Sequence, residues 1–384
     1  MEGRIKQFLE ERKKTGLLRG LTEVELASGG RIFVSGRKYV NFSSNDYLGL
    51  SCHPDIIKSA RETAVPVFGS SASRLMTGST VLHHQLEKNI ASLKNKPAAL
   101  IFNSGYQANV GVISALCGKG DVVFSDRLNH ASIVDGIKLS RARIFRFRHN
   151  DIEHLERMLA KERSKYSGAL IITETVFSMD GDLAPIADII RLKKKFNCML
   201  LADEAHATGV FGKHGGGMLQ DEDAAGDTDI VMGTFGKALG SFGAYVAVST
   251  AIRDYLVNTC RSFIYSTALP TAVINANIAA LNIIKGDPDM GKRLLANAEY
   301  FRKSLKDKGF KVGGQSQIVP VVIGGAEETV RLSAYLKDLG YWVTPVRPPT
   351  VPEGTARLRL SVTLDHDREI LDKFVKDISR YVRV

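Results

Sequence analysis

The middle of this 384-residue chain alternates short, almost wholly apolar runs with helical patterns. An apolar run without polar alternation predicts a strand that is buried on both faces, and such strands belong to parallel sheets covered by helices. One helical pattern runs from Leu82 to Leu93, and another begins at Asp151, a favourable N-cap residue. The pattern predicts an α/β fold with a mostly parallel sheet. The apolar runs are residues 99–102, 122–124, 170–173, 199–202 and 230–232.

The two ends of the chain have a different character from the middle. Residues 4–19 are rich in charge, with Ile5, Phe8 and Leu9 at helical spacing, and predict an amphipathic helix that lies on a larger body. Residues 31–42 read as a hairpin, and the composition shifts again at 285–289. We therefore expect three parts. They are an N-terminal helix and hairpin segment (1–44), a large domain (45–286) and a smaller C-terminal α+β domain (287–384).

Charge and cysteine content restrict the class of protein. The formal net charge is +11, yet the chain lacks the basic and aromatic interleaving of nucleic-acid-binding proteins. The charge indicates either a basic solvated surface or steering of an acidic substrate, such as a coenzyme A thioester or an acidic carrier protein. The four cysteines are far apart, without metal-ligand spacing, and we expect reduced core thiols and no metal site. With no secretory signal and no run of about 18 apolar residues, a cytoplasmic, non-membrane protein is expected.

One lysine stands out among the residues that could carry chemistry. Lys237 lies in the small-residue run 234–240, and Asp203 and His206 follow the apolar run 199–202. Because parallel sheets bind ligands at the carboxyl ends of their strands, we expect all three side chains at one edge. A lysine and a carboxylate so placed suit pyridoxal phosphate, whose aldehyde lysine binds as a Schiff base while the aspartate pairs with the ring nitrogen. An isolated Gly-Lys pair would indicate an ordinary surface lysine, but the Asp-x-x-His block favours the cofactor site.

Other candidates follow neighbouring strands. Residues 103–109, which include Ser104, should open a helix whose N-terminus favours a phosphate. His130 could stack on a planar cofactor ring or be a hydrogen-bonded structural histidine. Ser178 ends a further strand and could reach a phenolic oxygen of the cofactor.

Two arginines alternate on a predicted strand near the C-terminus. Arg357 and Arg359 face the same way, so either could clamp a carboxylate through two parallel hydrogen bonds, or both could form a basic surface. The sequence leaves the choice between them open.

The segments 45–50, 126–132, 177–181, 203–206 and 234–237 occur in the order and spacing of the α-oxoamine synthases. The chain resembles this family of fold-type-I pyridoxal-phosphate enzymes from about residue 15 to 380. The stretches 265–270 and 346–359 are similar to the branch that serves biotin synthesis, rather than to the glycine-acetyltransferase branch.

The resemblance implies roles for individual residues. Lys237 would carry the cofactor and move the α-proton, Asp203 would keep the ring nitrogen protonated, and His130 would stack on the ring. The implied catalytic residues are Lys237, His130, Asp203 and His206. The implied cofactor-binding residues are Ser104, Gly105, Tyr106, His130, Ser178, Asp203, His206, Thr234, Lys237 and Thr267, with Thr267 supplied by a second subunit. The implied substrate-binding residues are Arg19, Asn45, His130, Thr350 and Arg359. Of these, Asn45 and Arg359 would grip the amino-acid carboxylate, and Arg19 and Thr350 would contact the acyl substrate.

The resemblance also implies an activity and partners. A homodimer, with its active site at the subunit interface, would condense L-alanine with a pimeloyl thioester, of coenzyme A or of acyl carrier protein. The products would be 8-amino-7-oxononanoate, CO₂ and the free thiol. Glycine C-acetyltransferase, or another α-oxoamine synthase, is the alternative activity. A non-catalytic binding scaffold on the same fold is the alternative from a different class of protein.

Overall fold

The computed structural model describes residues 1–27, 29–62 and 69–381. The strands in chain order are β1 Glu25–Ala27, β2 Arg31–Val34, β3 Arg37–Asn41, β4 Ala98–Phe102, β5 Val122–Asp126, β6 Arg143–Phe147, β7 Ala169–Glu174, β8 Met199–Asp203, β9 Ile230–Thr234, β10 Ala244–Val248, β11 Ile318–Gly324, β12 Tyr341–Trp342, β13 Pro345–Val346 and β14 Ala356–Ser361. The α-helices are α1 Glu2–Lys14, α2 Pro54–Arg61, α3 Val81–Leu93, α4 Gly105–Leu116, α5 Ala131–Ser140, α6 Ile152–Glu162, α7 Ile186–Phe196, α8 Met218–Asp221, α9 Thr250–Thr259, α10 Arg261–Ile264, α11 Thr271–Gly286, α12 Met290–Asp307, α13 Ala326–Asp338 and α14 Arg368–Tyr381. Short 3₁₀ turns occupy Leu50–Cys52, Arg163–Lys165 and Lys213–Gly215.

A seven-stranded sheet in the order β4-β10-β9-β8-β7-β5-β6 forms the centre of the described chain. The run from β9 to β6 is parallel, and β10 lies antiparallel between β4 and β9. The five strands expected from apolar runs are confirmed, as is the mostly parallel sheet. The sequence analysis did not identify β6 or β10.

Residues that alternate along the central strands pack into two separate hydrophobic clusters. On β5, Phe124 joins one cluster and Val123 the other, and on β4 Ile101 and Leu100 divide in the same way. Each strand therefore buries both of its faces under helices, which explains why the sequence shows continuous apolar runs instead of alternation.

Two smaller sheets complete the described structure. The expected hairpin is formed by β2 and β3, and β3 also pairs in parallel with β12, three hundred residues along the chain. Near the C-terminus, β11 and β13 flank β14 as an antiparallel sheet. The division of the chain at residues 44 and 286 stays a prediction.

The expected packing of the N-terminal helix is wrong for the single chain. Helix α1 ends at Lys14, five residues earlier than expected, and none of its side chains is buried. Ile5, Phe8 and Leu9 are each about half exposed, because three apolar residues in 13 make a stripe too narrow to dock strongly. Cys52 is exposed, whereas Cys117, Cys198 and Cys260 are buried thiols as expected. No helix in the described ranges is long and apolar enough to cross a membrane.

Candidate active site

The carboxyl ends of three neighbouring central strands bring the predicted chemistry together. Asp203 ends β8, Thr234 ends β9, and Glu174 ends β7 directly opposite Asp203 in the parallel register. The Asp203 carboxylate accepts hydrogen bonds from Asn109 Nδ2 (2.9 Å) and from the Ala205 amide (2.9 Å). Both oxygens are thus fixed, so the carboxylate is held in one orientation within a buried site.

Lys237 lies in the turn between β9 and β10 and faces the loop that follows β8. Its Nζ is 2.7 Å from His206 Nε2, and His206 Nδ1 is 2.7 Å from the hydroxyl of Tyr47. The backbone carbonyl of His206 accepts a hydrogen bond from Gln317, which belongs to the C-terminal region. The structure therefore brings Lys237, Asp203 and His206 together, as predicted.

Burial sets the electrostatics of this cluster. It lowers the pKa of Lys237 against the opposing charges of Asp203 and Glu174, and it lowers the pKa of His206 well below the ordinary value. The pKa of Glu174 is raised, first by burial and then by the nearby charge of Asp203. A neutral imidazole thus lies beside an amine that gives up its proton more readily than an exposed lysine does.

His130 caps helix α5 at the end of the loop that follows β5. The carboxyl group of Glu174 accepts a hydrogen bond of 2.6 Å from the His130 amide, and His130 Nδ1 lies 2.8 Å from Ser132 Oγ. Burial lowers the pKa of His130, opposed by the charge of Asp203. Hydrogen bonds at the His130 amide and at Nδ1 thus fix the ring, and a fixed ring can present a planar face to a cofactor.

The predicted phosphate cradle begins helix α4. Ser104 is the N-cap, and its hydroxyl accepts a hydrogen bond from the Gln107 amide. A side chain at Gly105 would approach Thr234 Cγ2 to 2.9 Å, so the helix end and the end of β9 meet closely. The Thr234 hydroxyl is buried without a hydrogen-bond partner. An unpartnered hydroxyl beside free helix N–H groups is an arrangement that fits an anionic oxygen.

Tyr106 and Thr267 flank the cradle. The Tyr106 hydroxyl donates a hydrogen bond to Asp135, and its ring is half exposed. The carbonyl of Thr267 accepts a hydrogen bond of 2.9 Å from Asn103 of the same chain. The backbone of Thr267 therefore lies next to the cradle of its own chain.

The two alternating arginines both reach the turn at residues 176–183 but have different partners. Arg359 donates to the Ser178 carbonyl (2.6 Å), to Asn45 Oδ1 (3.2 Å) and to the Tyr47 hydroxyl (3.3 Å). Arg357 forms an ion pair with Asp180. Both side chains are buried, which excludes the basic-surface interpretation. Arg359 is the one whose contacts lead through Tyr47 to His206 and Lys237.

The two residues implied to contact an acyl substrate also meet. The guanidinium of Arg19 lies 3.4 Å from the hydroxyl of Thr350, and both residues are exposed. Arg347 donates to the carbonyl of Gly16 close by. The segment after α1 and the segment 346–359 thus share one exposed face.

Comparison with known proteins identifies the family. The model of the family "Aminotransferase class I and II" matches residues 37–378. The chain belongs to this family. Within it, a protein named 8-amino-7-oxononanoate synthase from Geotalea daltonii is 48% identical over 380 residues, covering 98% of this chain and 96% of that protein.

Solved structures of other proteins give the same fold. A serine palmitoyltransferase from S. paucimobilis, solved with bound PLP, matches with a TM-score of 0.92 at 29% identity, covering 99% of this chain and 96% of that one. An 8-amino-7-oxononanoate synthase from Francisella tularensis matches with a TM-score of 0.76 at 30% identity, covering 90% and 98%. The expected fold-type-I α/β architecture and the resemblance drawn from the sequence are both confirmed.

Several residues of this aminotransferase-family site were missed by sequence reasoning. Glu174 and Tyr47 stood within or beside motifs already noted, and their position at a strand end or next to Asn45 was the available signal. A buried ion pair between Lys94 and Glu204 (2.7 Å), under the Asp203–His206 loop, had no signal of this kind. Its partners are 110 residues apart.

A second, partly buried cluster holds the loops that present His130 and Ser178. His149 lies between two carboxylates, 3.1 Å from Asp126 and 2.6 Å from Asp182. Asp126 begins the loop that ends at His130, and Asp182 closes the turn that contains Ser178. Burial acts to lower the pKa of His149, but the hydrogen bonds and charges of the two aspartates outweigh it and raise the pKa to about 10.

This cluster makes stability depend on pH. A histidine whose folded pKa is raised contributes stability that is fully present below its unfolded value, about 6.5, and is lost as pH rises through about 10. We expect His149→Gln to lower the free energy of unfolding most at pH 6 and least near pH 10, as measured by urea titrations across that range. A loss of unfolding free energy in His149→Gln that is equal at every pH would contradict a charged His149 between the two aspartates.

Proposed function

We propose that this chain is an 8-amino-7-oxononanoate synthase that uses pyridoxal phosphate to condense L-alanine with a pimeloyl thioester. A C–C bond forms between alanine Cα and the thioester carbonyl carbon, the thiol leaves, and the alanine carboxylate leaves as CO₂. The observation that supports this most directly is the Lys237–His206 contact beside Asp203, within a chain 48% identical to a protein of that name over nearly its whole length.

The chain's own residues fit the cofactor. Ser104, Gly105 and Tyr106 at the start of α4, with the unpartnered Thr234 hydroxyl, offer N–H and O–H donors for a phosphate. Asp203 offers a fixed carboxylate for a protonated ring nitrogen, and the His130 ring offers a flat surface. When bound, pyridoxal phosphate supplies an electron sink that lets bonds at alanine Cα break heterolytically.

Lys237 and His206 carry the proton chemistry in this proposal. The Lys237 amine holds the cofactor covalently and then moves the alanine Cα proton, a task that suits an amine whose pKa burial has lowered. His206, kept neutral by burial, accepts or donates one hydrogen bond at Nε2 without adding charge. Ser178, in the turn at residues 176–183, is the further residue proposed to contact the cofactor.

The amino-acid carboxylate is assigned to Arg359 and Asn45. Arg359 is buried and positioned by Ser178 and Ser361, so its remaining hydrogen-bonding capacity points toward Asn45 and Tyr47. Arg357 is already neutralised by Asp180 and instead ties its strand to the 176–183 turn. The choice between the two arginines that the sequence left open is made on these contacts.

We expect Arg359→Lys to weaken L-alanine binding by about ten- to a hundredfold, since an ammonium lacks the paired donors of a guanidinium. Cofactor affinity should change much less. The measurement is a titration with L-alanine followed by the absorbance of the bound cofactor. Arg357→Lys is the matched control; a larger loss in that variant than in Arg359→Lys would reverse the assignment.

The acyl substrate is assigned to the exposed face of Arg19 and Thr350. A thioester of coenzyme A or of acyl carrier protein is anionic, and the net charge of +11 favours its approach. The two arginines on this face, Arg19 and Arg347, are the cations placed to meet it.

The enzyme is proposed to work as a homodimer. Large apolar side chains are exposed around the site. Leu75 and Met76 (75% exposed) follow Ser73, whose backbone pairs with that of Thr267. Tyr265 (72% exposed) precedes Thr267, and Phe242 follows the Lys237 turn. A second copy that covers these side chains would remove them from water and complete the site. The Thr267 carbonyl is bonded to Asn103 of its own chain, so it is the side chain of Thr267 that is proposed to reach the partner's cradle. Sedimentation of the purified protein tests this proposal, since a monomer at micromolar concentration would contradict it.

Four free cysteines, three of them buried, support a cytoplasmic location.

The deciding experiment is an activity panel with products identified by mass. L-alanine, glycine and L-serine are each combined with pimeloyl, acetyl and palmitoyl thioesters. The serine and palmitoyl arms are included because two serine palmitoyltransferases match this chain structurally with TM-scores of 0.93 and 0.92. The glycine and acetyl arms test the glycine C-acetyltransferase alternative. Product from L-alanine and a pimeloyl thioester alone supports the proposal, and preference for another pair overturns it. A colourless protein without any product would instead favour the non-catalytic scaffold.

A further inference from the structure

Tyr47 occupies a central position in the site, although neither the sequence motifs nor the proposed reaction assigns it a role. Its side chain is wholly buried, and besides the Gln317 side chain its hydroxyl has three hydrogen-bonding neighbours. They are His206 Nδ1 at 2.7 Å, Asn45 Oδ1 at 3.1 Å and Arg359 Nη2 at 3.3 Å. The hydroxyl therefore connects the residues assigned to the amino-acid carboxylate with the histidine that contacts Lys237.

The hydrogen bonds at Tyr47 can be assigned by counting donors. Arginine only donates and the amide oxygen of Asn45 only accepts, whereas the phenol has one proton to give. When Lys237 is an ammonium it only donates, so His206 Nε2 must accept its hydrogen bond. The proton of the neutral imidazole is then on Nδ1 and points to the Tyr47 oxygen, and Tyr47 directs its own proton to Asn45.

The opposite assignment has a different consequence for the lysine. If Tyr47 donated to His206 Nδ1, the imidazole proton would be on Nε2 and would face Lys237. Such a proton is compatible with a neutral amine and not with an ammonium. The direction of one phenolic proton thus decides which protonation state of the lysine the histidine stabilises.

We infer that Tyr47 is a positioning residue whose hydroxyl, by donating to Asn45, holds the His206 proton on Nδ1 and so leaves Nε2 to stabilise the ammonium form of Lys237. This arrangement stands on contacts within the chain, while its use in catalysis rests on the proposed function. It places the carboxylate subsite and the reacting lysine at the two ends of one hydrogen-bonded chain.

Other charged groups face Lys237, and the test must hold them constant. They are the carboxyl groups of Asp203 and Glu174, the guanidinium of Arg359 and the ring of His130. Replacing Tyr47 with phenylalanine leaves all four in place. A change in the protonation of Lys237 therefore reports the loss of the hydroxyl.

The test measures the pH dependence of Lys237 modification in the full chain freed of cofactor. Only the neutral amine reacts in reductive methylation with formaldehyde, and peptide mass spectrometry locates the modified lysine. In Tyr47→Phe the Nδ1 proton has no acceptor, so the ammonium form of Lys237 loses support. We expect the midpoint to fall by about one pH unit, which is an approximately tenfold faster modification below the midpoint. Tyr341→Phe, which removes another buried hydroxyl bonded to Asp377, should leave the midpoint unchanged.

Two substitutions at Asn45 keep the proposal testable even if Tyr47→Phe fails to fold, because Asn45 is exposed. Asn45→Ala removes the acceptor, so Tyr47 turns its proton to His206 and the midpoint should fall. Asn45→Asp keeps an acceptor, and its midpoint should not fall. An unchanged midpoint in Tyr47→Phe, or an equal fall in both Asn45 variants, overturns the proposal. Because these measurements need no turnover, failure of the substrate panel would be a separate result.

Discussion

Lys237→Ala is expected to abolish turnover and to remove the visible absorbance of the bound cofactor. The amine is proposed to serve twice, as the covalent attachment and as the base, so its loss removes both contributions. General acid–base catalysis alone supplies about 10²–10⁴-fold, and we therefore expect a loss of at least about 10⁴-fold. Activity is measured as free thiol released from a pimeloyl thioester in the presence of L-alanine.

Two controls separate chemistry from structure in this experiment. Lys237→Arg keeps a cation near Asp203 and Glu174 but lacks the nucleophilic amine, and it should be as inactive as the alanine variant. Lys96→Ala removes a half-buried lysine that is bonded to the Thr228 carbonyl, outside the site, and should retain activity. Normal colour and turnover in Lys237→Ala would remove Lys237 from the active site.

Asp203→Asn is expected to bind cofactor but to lose at least about ten- to a hundredfold in kcat. A neutral amide does not stabilise a protonated ring nitrogen, and a charge-assisted hydrogen bond contributes about 1.5–3 kcal/mol. The structure adds a second reason. Both carboxylate oxygens of Asp203 accept hydrogen bonds, from Asn109 and from the Ala205 amide, so an asparagine must turn its NH₂ toward one of these donors.

The control for Asp203 is another carboxylate whose two oxygens each accept a hydrogen bond, at the other end of the sheet. Asp121 accepts from the amides of Gly118 and Gly168, ahead of β5, and is remote from Lys237. Asp121→Asn should lose stability, measured by thermal unfolding, and keep kcat. If Asp203→Asn behaved in the same way, its carboxylate would be a structural group and not a partner of the cofactor.

The sequence predicted those parts of the site that depend on local pattern and on strand direction. Apolar runs located β5, β7, β8 and β9, and the rule that ligands bind at carboxyl ends brought Asp203, His206 and Lys237 together. Strand β10 was not predicted, although its run at 244–248 is apolar. No local pattern indicates that this strand lies antiparallel between β4 and β9. Strand β6 carries Arg143 and Arg146, which hide its strand character.

The remaining contacts join residues that nothing in the local sequence connects. Lys94 pairs with Glu204 and His149 with Asp182 only because the chain returns to the same place after long intervals. For Arg357 and Arg359 the sequence correctly placed both on one strand face. The choice between them depended on Asp180, which neutralises the first and not the second.

The attachment of both arginines to the 176–183 turn has a consequence for redesign of the enzyme. Arg359 is bonded to the Ser178 carbonyl and Arg357 to Asp180, so the strand that offers the proposed amino-acid clamp is tied to the turn that offers Ser178 at two points. Ser316, just ahead of β11, holds the same turn at a third point through the Gly181 carbonyl. Enlarging the amino-acid pocket by moving that strand would displace a residue proposed to contact the cofactor. Acceptance of a larger amino acid is therefore more readily obtained by shortening side chains outside this strand and turn, which leaves the three hydrogen-bonded ties in place.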